Sequence, residues 1–195
     1  MLSFRIFKTN ISIAFSFFAI VAILILFDKT NYAMLGLIAC ILHELGHITA
    51  MCFFCISPKR IIFYGAGIKI VPDFKKTTTI FQDYLILLSG SMTNFIVFIT
   101  LYSLSMNNFV IALFSVINLV IGAFNLIPFK HFDGGRIIDL ILISNSSNPI
   151  RIRKVIRVIS IIMLIILGIF FAYLQYGNFS LYLTIGYIIF SELML

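Results

Sequence analysis

The chain alternates between long apolar stretches and short polar connections. A helix needs ~20 predominantly apolar residues to cross a bilayer, and the longest stretches reach that length. We predict membrane spans at residues 11–27, 33–56, 84–104, 109–127, 155–176 and 179–195. The predicted fold class is an all-α polytopic membrane protein with about six transmembrane helices. We expect residues 1–195 to form a single domain.

One apolar segment, residues 60–71, is too short to cross a bilayer as a helix. It is rich in Ile, Val and aromatic residues. Gly65 and Gly67 interrupt it near its middle, and Pro58 and Pro72 bound it. Such a composition, broken by glycine, is typical of a strand pair. We therefore predict a short β-hairpin at the membrane surface, with an irregular loop as the alternative.

The composition supports a membrane location. Hydrophobic residues make up 62% of the chain, charged residues make up 11%, and the mean hydropathy is +1.14. A soluble domain carries about 25% charged residues, so this composition excludes an ordinary soluble protein.

The net charge of +7 is distributed unevenly between the two sides of the predicted spans. The N-terminal tail and the loops after the second and fourth spans hold Arg5, Lys8, Lys59, Arg60, Lys69, Lys75, Lys76, Lys130, Arg136, Arg151, Arg153 and Lys154. The opposite loops hold only Lys29. Because basic residues favour cytoplasmic loops, we predict that both termini and both long loops are cytoplasmic. The charge therefore indicates orientation, and no nucleic acid partner is expected.

The strongest chemical signal is His43-Glu44-Leu45-Gly46-His47, which lies within the second span. Residues four apart share a face of a helix, so both imidazoles can bind one Zn²⁺. Glu44 would then reach the metal-bound water as general base. A glutamate flanked by two histidines is costly in hydrocarbon. This cost favours a functional site over a polar cluster that only joins helices, since a neutral residue would serve that purpose more cheaply.

A catalytic zinc needs a third protein ligand and one open position. Asp133 is the first candidate, because Pro128 breaks the preceding helix and irregular backbone at membrane depth is tolerated where it lines a cavity. Asp139 is the second candidate and is expected at the cytoplasmic interface. His131 is a third candidate by its chemistry, although a lone histidine near a metal more often lines the pocket. Cys40 shares the helix face of the two histidines and is a further alternative.

Two motifs, in this order along the chain, resemble those of the site-2 protease family of intramembrane metalloproteases. The first is HELGH at residues 43–47. The second follows the fourth span and reads Asn125-Leu-Ile-Pro-Phe-Lys-His-Phe-Asp133-Gly-Gly. The short six-span form, with a glycine-containing strand segment, is similar to the stage IV sporulation FB branch. The resemblance covers most of residues 33–140, which would be the core of the protease domain.

The resemblance implies a set of site residues. One zinc per chain would be bound by His43, His47 and Asp133, and Glu44 would be the catalytic residue. The resemblance also implies that Asn125 positions the substrate or stabilises the oxyanion.

Three more residues are candidates for positioning the substrate. The segment Ser89-Gly-Ser-Met-Thr-Asn94 resembles the family's Gly-x-x-x-Asn segment in the third span, which adds Asn94. A strand near Gly65 and Gly67 could hold an unwound substrate in an extended form by strand addition, which adds both glycines.

The sequence departs from the family pattern in two places. Lys130-His131-Phe132 stands before Asp133, where the family commonly has a second proline. From the length we also expect no room for the nucleotide-sensing CBS domain that this branch often carries. The first departure leaves the chemistry intact, and the second argues against nucleotide regulation of the family's kind.

The expected function is that of an intramembrane zinc metalloprotease. It would hydrolyse a peptide bond in or near a membrane segment of a regulatory protein precursor, such as a sporulation sigma-factor precursor. The expected partners are this membrane-associated substrate, the lipid bilayer and membrane inhibitor proteins. The expected location is a bacterial cell membrane, which the chain crosses several times.

Three alternatives remain at the level of sequence. A metal-ion transporter could line its path with the same polar residues, but the first, fifth and sixth spans are nearly devoid of polar residues for such a path. A non-proteolytic membrane scaffold would be free to lose Glu44, which is present. A different class of membrane zinc protease would need a late helical glutamate, for which Glu192 is the sole option.

Overall fold

A computed structural model describes residues 1–6, 9–28, 32–64, 67–72, 78–105, 108–129, 132–145 and 149–174. The chain divides into two compact units, Met1–Phe124 and Asn125–Leu195. The described part is mostly helical and contains one small sheet.

The described elements of the first unit are, in chain order, β1 (Leu2–Ile6), β2 (Thr9–Ile13), α1 (Phe15–Phe27), α2 (Tyr32–Phe53), β3 (Pro58–Tyr64), β4 (Gly67–Pro72), α3 (Ile80–Leu104) and α4 (Phe109–Asn125). The last residue of α4 begins the second unit. The described elements of the second unit are α5 (Asp133–Asn145) and α6 (Pro149–Leu174).

The four strands form one mixed sheet in the order β1-β2-β3-β4. The predicted hairpin is confirmed, because β3 and β4 pair antiparallel with Tyr64 opposite Gly67. β2 joins β3 in parallel, with Asn10 opposite Arg60. Gly65 lies outside the described residues. The expected class, all-α with a lone hairpin, is therefore corrected to a mostly helical fold with a four-stranded sheet.

The start of the first predicted span, residues 11–27, is also corrected. Its N-terminal part is strand β2, and α1 has 13 residues, fewer than the ~20 that a perpendicular crossing needs. The reason lies in the sequence before the apolar run. Asn10 to Ile13 alternates polar and apolar residues, which favours a strand, and the residue buried there is the polar Ser12.

Within the described ranges, two helices are long and apolar enough to cross a membrane by length and composition, namely α2 with 22 residues and α3 with 25. They lie at the predicted spans 33–56 and 84–104. The shorter apolar helix α4 lies at the predicted span 109–127. The sequence therefore located all three of these helices.

The spans predicted for the C-terminal part agree only partly with the structure. The predicted span 155–176 lies in α6, which begins earlier, at Pro149. The predicted span 179–195 lies outside the described residues, so the count of six spans stays a prediction. Helix α5 was not predicted, since Asp133–Asn145 was assigned to a loop.

Helices α2 and α3 approach closely because both carry small residues where they meet. A Cβ placed on Gly46 would lie 2.7 Å from the carbonyl oxygen of Ser89 and 3.0 Å from Cα of Gly90. Small residues allow such close approach between membrane helices, where burial from water does not drive association. The contact fixes the face of α2 that carries the histidines against α3.

Candidate metal centre

His43 and His47 lie one turn apart on the buried face of α2. Their side chains are only 4% and 8% exposed. The two Nε2 atoms are 3.2 Å apart, and the rings meet edge to face at 85°. A zinc held tetrahedrally by two nitrogens at 2.0–2.1 Å would separate them by about 3.3 Å. The spacing of the two imidazoles therefore fits one shared zinc ion.

The ring of His47 is oriented by the backbone of α3. Its Nδ1 lies 2.7 Å from the carbonyl oxygen of Ile86. A carbonyl oxygen can only accept, so Nδ1–H donates and Nε2 carries the lone pair. Metal-binding histidines are commonly held by such a bond from the second ring nitrogen. The contact presets the tautomer that His47 needs in order to bind a metal.

Gly90 of α3 lies directly against both imidazoles. A Cβ at this position would be 2.5 Å from Nε2 of His47 and 2.7 Å from Nε2 of His43. These distances leave no room for a side chain. The sequence had pointed to this segment only through its resemblance to a family motif, and the structure supplies the physical reason for the glycine.

Glu44 follows His43 and is half-buried. Successive helical residues are about 100° apart around the axis, so its carboxylate leaves α2 beside the histidine pair. This placement agrees with a carboxylate that serves a reactant near the metal instead of binding the metal itself.

Asp133 is the first residue of α5 and is 7% exposed. Helix α4 ends at Asn125, and an irregular turn around Pro128 precedes α5. The N–H of Phe129 donates to the carbonyl oxygen of Ile127 at 2.7 Å, which closes the turn tightly. The expected helix break before Asp133 is thus present, and it buries the carboxylate at a helix start.

The other candidate ligands have different surroundings. Asp139 forms an ion pair of 3.2 Å with Arg153, and both side chains are partly exposed. Cys40 is exposed. His131 lies outside the described residues. Among the candidate ligands that the structure describes, the buried ones are His43 and His47 in the first unit and Asp133 in the second.

The candidate substrate-positioning residues are spread over several elements. Asn94 is fully buried in α3, where its side-chain amide donates to the carbonyl oxygen of Ala39 at 3.3 Å and to Oδ1 of Asn118 at 3.4 Å. Asn125 is half-buried at the end of α4, and Gly67 begins β4. The bond to Ala39 joins α3 to the turn of α2 that precedes His43.

Comparison with known proteins finds similarity to a protein family and to solved structures. The family model of Peptidase family M50 matches residues 106–167, a range that includes Asp133 and excludes the HELGH motif. The solved structure of the Site-2 Protease from Methanocaldococcus jannaschii aligns with a TM-score of 0.66 and 25% identity. The alignment covers 99% of this chain and 94% of that chain. The chain has the fold of a site-2 protease. No curated protein matches the sequence.

These matches agree with the chemistry of the buried group. Peptidase family M50 consists of zinc metalloproteases that are integral membrane proteins, and α2 and α3 are long and apolar enough for a membrane. Two imidazoles and a carboxylate are a common ligand set of catalytic zinc. Fold, family match and donor set together support a metallopeptidase in a membrane.

Proposed function

We propose that the protein is an intramembrane zinc metalloprotease of the site-2 type. The observation that carries the proposal is the buried pair of imidazoles on α2, whose Nε2 atoms are 3.2 Å apart. A hydrophobic chain rarely buries such a pair without a functional reason. The site-2 protease fold supplies the reaction class, which is hydrolysis of a peptide bond.

In this proposal His43, His47 and Asp133 would hold one zinc per chain. A bound zinc supplies a Lewis acid that activates water and polarises the peptide carbonyl. Glu44 removes a proton from the attacking water and delivers it to the leaving amine. Asn125 lies at the end of α4, where its side-chain amide can donate to the developing oxyanion.

The proposed substrate is a membrane-associated segment of a regulatory precursor, and a sporulation sigma-factor precursor fits the similarity to the stage IV sporulation FB branch. The carbonyls of a transmembrane helix are already hydrogen-bonded, so the helix has to unwind before cleavage. Strand β4 lies at the edge of the sheet, and its outer edge can pair with an extended peptide. Gly67 at the start of β4 is the glycine that we assign to this substrate edge, and Asn94 would support the site from α3.

For the whole chain we propose one protease domain over residues 1–195 that crosses a bacterial cell membrane several times, with both termini in the cytoplasm. The bias of basic residues toward the N-terminal tail and the second and fourth loops supports this orientation. Its proposed partners are the substrate, the lipid bilayer and membrane inhibitor proteins.

The proposed chemistry is tested by Glu44→Gln in purified, zinc-loaded protein with a panel of transmembrane peptides. The amide keeps the size of the side chain but cannot take up the proton. We expect cleavage to fall at least about 100-fold, as for loss of a general base, while zinc per chain is unchanged. Cleavage that persists in Glu44→Gln at the wild-type rate would contradict the assigned role.

A further inference from the structure

Residues 126–129 form a turn after α4 whose backbone cannot be satisfied by helix hydrogen bonds alone. Pro128 contributes no N–H, and α4 has already ended at Asn125. An unsatisfied carbonyl in an apolar surrounding costs several kcal/mol, so irregular backbone in a membrane protein needs partners from other elements. The turn that leads to Asp133 therefore depends on outside support.

Ser160 of α6 supplies such a partner. Its hydroxyl donates to the carbonyl oxygen of Pro128 at 2.6 Å, across 32 residues of sequence. The side chain is fully buried, at 0% exposure. A short bond from a fully buried hydroxyl ties the turn to α6.

The turn is also in direct contact with the start of α5. A Cβ placed on Gly134 would lie 2.5 Å from the carbonyl carbon of Leu126 and 2.6 Å from the carbonyl oxygen of Ile127. Phe129, next to Pro128, is buried, and its ring meets that of Phe132 edge to face at 5.7 Å. Packing this close transmits any movement of the turn to Gly134, and so to the adjacent Asp133.

We propose that Ser160 is a positioning residue for the metal centre. Its hydroxyl holds the carbonyl of Pro128 in place, and the turn in turn holds the first residues of α5. Because Asp133 is the first residue of α5, this support fixes the orientation of its carboxylate. The inference rests on the proposed function, because it matters only if Asp133 binds the metal. Ser160 itself touches neither metal nor substrate in this account.

The test compares zinc affinity, measured by chelator competition on detergent-purified protein, between Ser160→Ala and a matched control. The control is Ser115→Ala, a serine that is equally buried but donates at 2.6 Å to Ala112 within its own helix. Mutation of a group that supports a metal ligand commonly lowers the affinity for the metal by about 10–100-fold. We expect Ser160→Ala to weaken zinc binding about 10–100-fold and Ser115→Ala to change it less than about 2-fold.

A second readout separates positioning from general packing. With Co²⁺ in place of zinc, the visible absorption bands report ligand geometry, and we expect them to shift in Ser160→Ala and not in Ser115→Ala. Ser160→Cys keeps the shape of the side chain with a larger atom and a weaker donor, so it serves if alanine disturbs folding. We expect it also to weaken zinc binding.

The outcomes separate the two proposals. Zinc affinity within about 2-fold of wild type in Ser160→Ala, or in a folded Ser160→Cys, overturns the inference alone. Equal losses in Ser160→Ala and Ser115→Ala also overturn it, since packing would then explain both. Wild-type protein that binds no zinc overturns the proposed function and the inference together.

Discussion

Gly90 sets how closely the histidines of α2 can lie against α3. Its missing side chain leaves space that the two imidazoles occupy, with both Nε2 atoms within 2.7 Å of the position of a Cβ. The carbonyl of Ile86, one turn earlier on α3, orients His47. Helix α3 thus shapes the candidate metal centre, although neither Gly90 nor Ile86 is a proposed ligand.

Gly90→Ala tests this arrangement. The methyl group would overlap both imidazoles, so the rings or the helices have to move. We expect this movement to lower the free energy of unfolding by about 1–3 kcal/mol. We expect zinc per chain to fall sharply even where the variant folds, as measured by elemental analysis together with thermal unfolding.

The matched control is Gly36→Ala on α2, where a Cβ would meet nothing within 4 Å. We expect full zinc content there, and a gain of about 0.5–1 kcal/mol from the better helix propensity of alanine. If Gly90→Ala binds as much zinc per chain as the wild type, the claim that a side chain at this position displaces the imidazoles is wrong.

Some site residues could be predicted from the sequence and others could not. The spacing of His43 and His47 indicates a shared helix face, because it depends only on helix periodicity. Ser160 gave no such signal, since a lone serine in an apolar helix has no informative spacing. The carbonyl of Ile86 is a backbone atom, and no side-chain pattern reveals it.

At the scale of elements, the sheet shows why strands were harder to predict than helices. The hairpin of β3 and β4 could be predicted because the segment is too short for a membrane helix and is broken by glycine. Strand β2 was missed because its alternating residues run directly into the apolar helix α1. Helix α5 was missed because its charged residues resembled a cytoplasmic loop.

Ile68→Pro tests the use of β4 as a substrate edge. Tyr64 and Gly67 pair at the end of the hairpin, so the alternation of antiparallel pairs turns the N–H of Ile68 away from β3. Proline would remove an N–H that the hairpin does not use. We expect cleavage of a transmembrane peptide to fall about 10-fold or more, as for loss of a strand-pairing bond, while zinc content is unchanged.

The control is Ile68→Ala, which shortens the side chain and keeps the N–H. We expect it to cleave much faster than Ile68→Pro. Equal cleavage by Ile68→Pro and wild type would mean that substrate does not add to this edge.

At the scale of the whole molecule, the proposed ligands come from both compact units. His43 and His47 belong to the unit Met1–Phe124, and Asp133 belongs to the unit Asn125–Leu195. The order of the two motifs along the chain is enough to suggest this ligand set, whereas hydropathy alone cannot fix the number of spans. Short helices such as α1 and the basic start of α6 blur the boundaries that hydropathy windows detect.

The measurement that tests the central claim most directly is zinc per chain in detergent-purified wild type and in Asp133→Ala. We predict about one tightly held zinc in the wild type, as for a three-ligand catalytic site, and a sharp reduction in Asp133→Ala. Glu44→Gln is the control and should keep its zinc. Unchanged zinc in Asp133→Ala would move the third ligand to another residue, and no zinc in folded wild type would contradict the account as a whole.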